Sequence, residues 1–414
     1  MAKGTFRSLK VFNYRVWAGG ALISNIGTWM QRTAQDWLVL TELTHHSATA
    51  VGVVMGLQFG PQLLLLPWTG YAADRFDRRK LLMATQAAMG VLALVLGLLV
   101  ITGQVQLWQV DVLAFLSGCV SAVDGPARQT FVSDLVGDDG LSNAVALNST
   151  SVNAAQMVGP AVAGVVIAAV GSGWAILING ASFGAVLASL FYLRRSELHP
   201  NTRASQARGN LMEGFRYVRS RPDIGAILWM LFLIGTFGMN FPIFISTMSV
   251  SVFHKGAGQY GLSTSIMAIG SVTGALLSAR RAKPRIVLLS AGAALFGLGL
   301  AFAACMPSYA LFCLALVVIG VAAQTFTTTA NSTLQLSTEP AMRGRVMAIF
   351  FAIALGGTPI GAPIVGWVVD HFGPRWGLGV GAAAGLAAAL IGILYLTRYR
   401  EHTGPSLTDE ETIP

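Results

Sequence analysis

Four residues near the start of the chain have types and spacing suited to charge chemistry in an apolar setting. Asn25, Trp29, Arg32 and Asp36 are separated by 4, 3 and 4 positions, which stacks their side chains on one face of an α-helix. They lie in a mostly apolar run, where an ionised side chain is costly and marks an ion or substrate path. Asp111 opens another apolar run at a matching depth, so a cluster of Arg32, Asp36 and Asp111 is expected. A carboxyl group moved between water and a dry wall changes its proton affinity. Asp36 and Asp111 are therefore candidates to carry a proton across, with a permanent structural ion pair as the competing reading. Gln58, Gln62, Asn153, Gln156, Asn240 and Gln324 also sit in apolar runs. With Trp29, Phe237 and Phe241 they make a lining suited to an amphiphilic small molecule. Taken singly, each also fits an interhelical hydrogen bond or a packing role.

Other chemistries have no visible residues. The chain has no phosphate-binding Gly-Lys-Ser/Thr loop, no nucleophile with a paired base and no Cys/His cluster. Neither an enzyme nor ATP as fuel is expected, and no metal or cofactor. Cys119, Cys305 and Cys313 lie in apolar stretches and read as small buried hydrophobes.

The elements that position these residues must be membrane helices. Hydrophobic residues make up 54% of the chain and charged residues only 11%, against about 25% charged in an ordinary globular domain. Twelve apolar segments of spanning length lie near 16–41, 48–73, 81–102, 107–127, 143–169, 173–193, 223–250, 259–280, 285–305, 308–332, 346–370 and 375–397. With the N-terminus in the cytoplasm, 24 of the 27 Lys and Arg residues fall on the cytoplasmic side. Only Lys255 and Arg375 fall outside, and Arg32 lies within the first segment. The net charge of +9 thus serves the anionic inner leaflet, and nucleic acid is not an expected partner. Lys3, Arg7 and Lys10 precede an apolar run without a cleavage site, which reads as a retained first helix.

The two portions of the chain repeat. Gly159, Gly164, Gly171 and Trp174 recur as Gly361, Gly366, Gly373 and Trp376 at a constant offset of 202. The expected architecture is an all-α membrane protein of twelve transmembrane helices in two pseudo-symmetric six-helix halves. The N-terminal half covers 1–197, a cytoplasmic linker 198–222, and the C-terminal half with a short cytoplasmic tail 223–414. In the linker, Leu211, Phe215 and Val218 recur at helical spacing beside Arg216 and Arg219, the pattern of a short amphipathic helix on the membrane face.

Three motifs carry a resemblance. The run from Gly70 through Asp74, Arg75, Asp77, Arg78 and Arg79 to Lys80 resembles the cytoplasmic signature of the major facilitator superfamily, with a degraded copy at Gly274, Ser278, Arg280 and Arg281. The resemblance implies a conformational latch. Gly70 packs the second helix on a neighbour from the other half, Asp74 meets a helix N-terminus or an Arg, and Arg78 ties the loop to nearby acids, while Asp124 and Arg128 join Asp74 and Arg78 in one ion network. A purely topological role for the basic loop is the alternative. The runs Asp124-Gly125-Pro126-Ala127-Arg128, Gly27-Thr28-Trp29 and Gln35-Asp36-Trp37 resemble the branch holding enterobactin exporters and multidrug efflux proteins. Gly159, Pro160 and Gly164 are similar to the kinked helix 5 signature of antiporters; the Arg-x-x-Gln-Gly motif of many drug–proton antiporters is missing.

The function implied is secondary active export of a drug-like compound, siderophore or secondary metabolite by proton antiport with alternating access. An importer or facilitator would share the fold, and a lipid translocase or non-transporting receptor is the alternative of another class. The implied setting is a monomer among the lipids of the cell inner membrane, with both termini cytoplasmic.

Overall fold

In lipid, backbone polar groups must be satisfied within their own segment, so apolar runs of this length fold as helices. A computed structural model of the chain describes residues 6–65, 76–199, 211–279, 286–340 and 342–400. Among the described residues the regular structure is entirely helical. The helices are α1 (Phe12–Trp37), α2 (Ala48–Leu64), α3 (Arg78–Ile101), α4 (Leu107–Gly137), α5 (Gly140–Val170), α6 (Ser172–Tyr192) and α7 (Leu211–Ser220). They continue with α8 (Pro222–Val252), α9 (Ala257–Ala279), α10 (Ile286–Cys305), α11 (Tyr309–Ser337), α12 (Arg343–Phe372) and α13 (Pro374–Arg400). Ten of those described are long and apolar enough to cross a membrane, and α2 is a shorter apolar helix. The α1 helix, with its interior charges, has 26 residues, about 39 Å at the standard rise.

Local sequence explains the ends and breaks. Ser47 caps α2 by accepting from the Ala50 N–H, and Asp77 caps α3 by accepting from the Lys80 N–H. Gly171 and Gly373 stop α5 and α12 with matching dihedrals, φ 94 and 98, ψ 166 and 162. Only glycine takes that region cheaply, so this pair of the sequence repeat recurs as a backbone turn. The α4 helix does not end at Gly125-Pro126; it runs on to Gly137, where φ is 66. Beyond Pro126, Ala127, Phe131, Val132 and Leu135 bury into a cluster with Tyr14, Trp17 and Leu190, and that packing outweighs the one backbone donor proline removes. The α8 helix is interrupted by wide turns at Ile234–Gly238 and Met248–Val252, on either side of Pro242.

Packing follows a paired pattern. The α3 helix lies on α6 and α10 on α13; α2 lies on α12 and α5 on α9. The last two contacts join helices before α7 to helices after it. Outward faces are apolar and exposed, as with Val91, Leu94, Val95 and Leu98 on α3 and Leu390, Ile393 and Leu394 on α13. These are the surfaces lipid would cover.

The α7 helix lies in the linker, and contacts with other helices orient it. Phe215 is 57% and Met212 64% exposed, whereas Gly214 and Val218 pack inward, Gly214 against Arg345 and Ile349 of α12. An Arg345–Glu213 ion pair at 3.0 Å and an Arg221 N–H donated to the Ser337 carbonyl at 3.0 Å hold α7 to α12 and α11. Protein contact, not the apolar stripe alone, sets which face of α7 turns inward.

The α5–α9 seam depends on close backbone approach. A Cβ on Gly261 would overlap the Pro160 carbonyl oxygen, whereas one on Gly184 would meet nothing within 4 Å. Gly261→Ala should cost about 2 kcal/mol through overpacking and lower the melting temperature of the purified protein, with Gly184→Ala near wild type. Equal melting of the two variants would show that the seam is looser than described.

Candidate functional site

The charged face of α1 turns into a cavity of about 220 Å³ enclosed by α1, α2, α5, α8, α9 and α12. Of the residues expected to line a cavity, Trp29, Arg32, Asp36, Gln58, Gln156 and Phe241 do so. Phe59, Met55, Met239, Tyr260, Thr264, Met267 and Ser271 complete most of the wall. Tyr260, Thr264, Met267 and Ser271 escaped the sequence reading, although their spacing of 4, 3 and 4 repeats the one-face pattern of α1.

Arg32 and Asp36 are the charged residues of this lining, and they do not pair within 4 Å among the described residues. The Arg32 guanidinium sits over the rings of Trp29 at 4.9 Å and Phe59 at 5.5 Å, within cation–π range. Its Nε is buried without a hydrogen-bond partner. Asp36 instead accepts a hydrogen bond from the Tyr260 hydroxyl of α9 at 3.3 Å, and the Tyr260 ring stacks on Trp37 at 6.2 Å. A second cavity of about 40 Å³ lies behind α1, with Thr28, Gln31, Gln35, Ser117, Ser121 and Asn179 on its polar side and Met89, Leu92, Leu96 and Phe183 on its apolar side, and Arg32 borders it as well.

Several expected members lie elsewhere. Asp111 lines neither cavity, and its Oδ1 is buried without a partner; the three-residue cluster with Arg32 and Asp36 does not form. Asn25 is drawn away by Arg128, whose Nη1 donates to its Oδ1 at 3.1 Å. Asn240 is fully buried and donates to the Thr236 carbonyl at 2.7 Å, satisfying backbone freed by the wide turn in α8. Phe237 packs on the apolar core, Gln324 donates to Thr328, and Gln62 and the exposed Asn153 lie outside the lining.

Among the described residues, the members of the expected ion network form two pairs. Asp124 accepts from Thr85 and Gln86 of α3, each at 2.7 Å, and pairs with Arg128 at 3.2 Å. Arg78 pairs with Asp134 at 2.8 Å. Both acids lie on α4, ten residues apart, too far to share one centre. Gly70, Asp74 and Arg75 lie outside the described residues. Gly159 seats α5 against Trp29 of α1, while Pro160 and Gly164 form the α9 seam.

One contact had no sequence forecast. Asp370, in the last turn of α12, accepts from the Ser47 hydroxyl at 3.0 Å, the Ala48 N–H at 2.6 Å and the Thr49 N–H at 2.9 Å. A carboxylate thus caps the N-terminus of α2 across the α2–α12 seam, where the helix dipole favours negative charge. Gly366 and Asp370 repeat the four-residue spacing of Gly70 and Asp74, which was the available signal. This ties α2 to α12 at the Asp370 end of their seam. Asp370→Ala should shift the closed arrangement by about tenfold, as expected for loss of charged hydrogen bonds. Distance measurements between spin labels at positions 50 and 372 would show a longer population; an unchanged distribution would mean the cap holds nothing shut.

Known proteins fit this architecture. The chain is 24% identical to the staphyloferrin A transporter of Staphylococcus aureus, over 84% of this chain and 87% of the relative. It is 25% identical to the enterobactin exporter of Shigella flexneri, over 90% of each. The fold matches a bacterial homolog of the human lysosomal transporter Spinster, with a TM-score of 0.77 at 14% identity, covering 95% of this chain and 99% of the other. It also matches a POT family transporter solved with a thioalcohol-conjugated peptide, with a TM-score of 0.75 at 13% identity, covering 97% and 100%. Residues 4–409 match the model of the transmembrane secretion effector family. With apolar helices long enough to cross a membrane and these relatives, the chain belongs to the transmembrane secretion effector family of major facilitator transporters and is a multi-pass membrane transporter, not an enzyme.

Proposed function

We propose that the protein exports an amphiphilic small molecule from the cytoplasm by proton antiport, using alternating access. The observation that carries this reading is the cavity holding Arg32 and Asp36, with Asp36 bonded across the α1–α9 boundary to Tyr260. An acid bonded to a helix of the opposite bundle changes its surroundings when the bundles rock, and a carboxyl whose surroundings alternate takes up and releases a proton. Asp36 is the coupling acid in this scheme, and Asp111 takes no part in coupling.

The helices before and after α7 act as two related six-helix halves, twelve spans in all, joined through the 198–222 linker. Supporting this are the paired contacts, α3 on α6 as α10 on α13 and α5 on α9 as α2 on α12, and the matched turns at Gly171 and Gly373. The basic loops set both termini in the cytoplasm, which makes the Asp370 end the outer one and the present arrangement inward-facing. The unit works as a monomer in the inner membrane. Its substrates are drug-like compounds, siderophores or secondary metabolites, in keeping with the names of the relatives, a staphyloferrin A transporter and an enterobactin exporter.

The test is accumulation of a panel of fluorescent dyes and antibiotics in a host lacking its own pumps. Cells expressing the protein should retain less of at least one compound, a protonophore should cancel the difference, and Asp36→Asn should abolish it while Asp111→Asn leaves it in place. Higher retention would reverse the direction, and export indifferent to the protonophore would remove proton coupling.

A further inference from the structure

Arg32 and Asp36 are one helical turn apart on the same face of α1, a spacing that sets Cβ atoms about 5–6 Å apart. Side chains so placed readily pair, yet here they do not. The guanidinium is held over the rings of Trp29 and Phe59, and its Nε stays buried and unpartnered. The carboxylate turns to Tyr260 on the opposite side of the cavity. The lining therefore presents one guanidinium and one carboxyl group, both bordering the same space, each with capacity unused by the other.

The Arg32 guanidinium has no hydrogen bond or ion pair among the described residues, so a ligand carboxylate at its cavity-facing edge gains charged hydrogen bonds that no protein group supplies. A ligand with a single charge leaves the other residue uncompensated, and a neutral one leaves both. The complement of this lining is a dipolar molecule. The remaining wall mixes polar side chains, Gln58, Gln156, Thr264 and Ser271 among them, with Phe241, Met55, Met239 and Met267, and its aromatic and thioether part suits an apolar body.

We infer that the cavity takes a zwitterionic amphiphile, its carboxylate docked on Arg32 between the two rings and its ammonium on Asp36. The assignment rests on the cavity being the transport site. It also gives the antiport a physical basis, because an ammonium and a proton compete for one carboxylate. The titratable groups facing the cavity are Arg32 and Asp36 on α1 and Tyr260 on α9. Arg32 stays charged and the Tyr260 hydroxyl donates to Asp36, so the competition is confined to Asp36.

Binding to the purified full-length protein in lipid nanodiscs, measured by calorimetry, tests this with compounds built on one aromatic body. L-phenylalanine carries both charges, 3-phenylpropanoate only the carboxylate, 2-phenylethylamine only the ammonium and 3-phenylpropanamide neither. L-phenylalanine should bind about tenfold or more tighter than each of the others, the worth of one charged hydrogen bond, and should weaken as pH falls. Arg32→Gln should erase the advantage of L-phenylalanine over 2-phenylethylamine, and Asp36→Asn its advantage over 3-phenylpropanoate; Arg32→Lys should keep part of the first. Size-exclusion profiles matching wild type show that the variants are folded. Equal affinity for a singly charged analogue, advantages that survive both substitutions, or no binding by any of the four would overturn the assignment. Because this readout requires no transport, loss of the charge pattern and loss of export are separate results.

Discussion

The costliest arrangement in the protein is a pair of opposite charges one turn apart on α1, set inside an apolar bundle and not neutralising each other. Bringing an ion out of water carries a penalty of several kcal/mol even after relaxation, and a membrane offers less relief than a soluble core. The surrounding structure answers each charge separately. Two aromatic faces hold the guanidinium of Arg32, and a tyrosine from a distant part of the chain donates to Asp36. Keeping the two apart preserves an interior site where a direct ion pair would have closed it.

That site lies between bundles joined by two seams, and the seams use different devices. At α5–α9, the absence of a side chain on Gly261 lets two backbones meet at the Pro160 carbonyl. At α2–α12, Asp370 caps the first turn of the facing helix, a polar contact at the exposed rim that water can replace. A seam of small residues permits sliding without opening a cavity, and a capped rim can separate at modest cost. Both properties suit bundles that rock against one another. At the arginine-rich end Arg78 of α3 pairs with Asp134 of α4, and the Asp124–Arg128 pair within α4 is tied to α3 through Thr85 and Gln86 and to α1 through Asn25, contacts that stiffen the bundle before α7.

Structural neighbours share this frame at 12–14% identity while carrying quite different cargo in their names, among them a nucleoside transporter and a POT family transporter with a bound peptide conjugate. The common part is helix order and packing, which many apolar sequences satisfy. What differs is the handful of side chains facing the cavity, and specificity has to be argued from those.

The sequence by itself determined the helical class, the apolar segments, the amphipathic piece near Phe215 and the charged face of α1. Those features follow from composition and from the 3.6-residue period, which are local properties of the chain. It also showed the repeat that reappears as the matched turns at Gly171 and Gly373. Only the tertiary structure decided that Asp36 is served by Tyr260, 224 positions away, that Arg32 is stacked and left unpaired, that Asp111 stands apart, and that Arg128 claims Asn25. It alone paired Asp370 with the start of α2 and set Glu213 and Gly214 of α7 against α12. Each of these depends on which helices become neighbours and how each is rotated about its axis, and periodicity within a single segment carries no information on either.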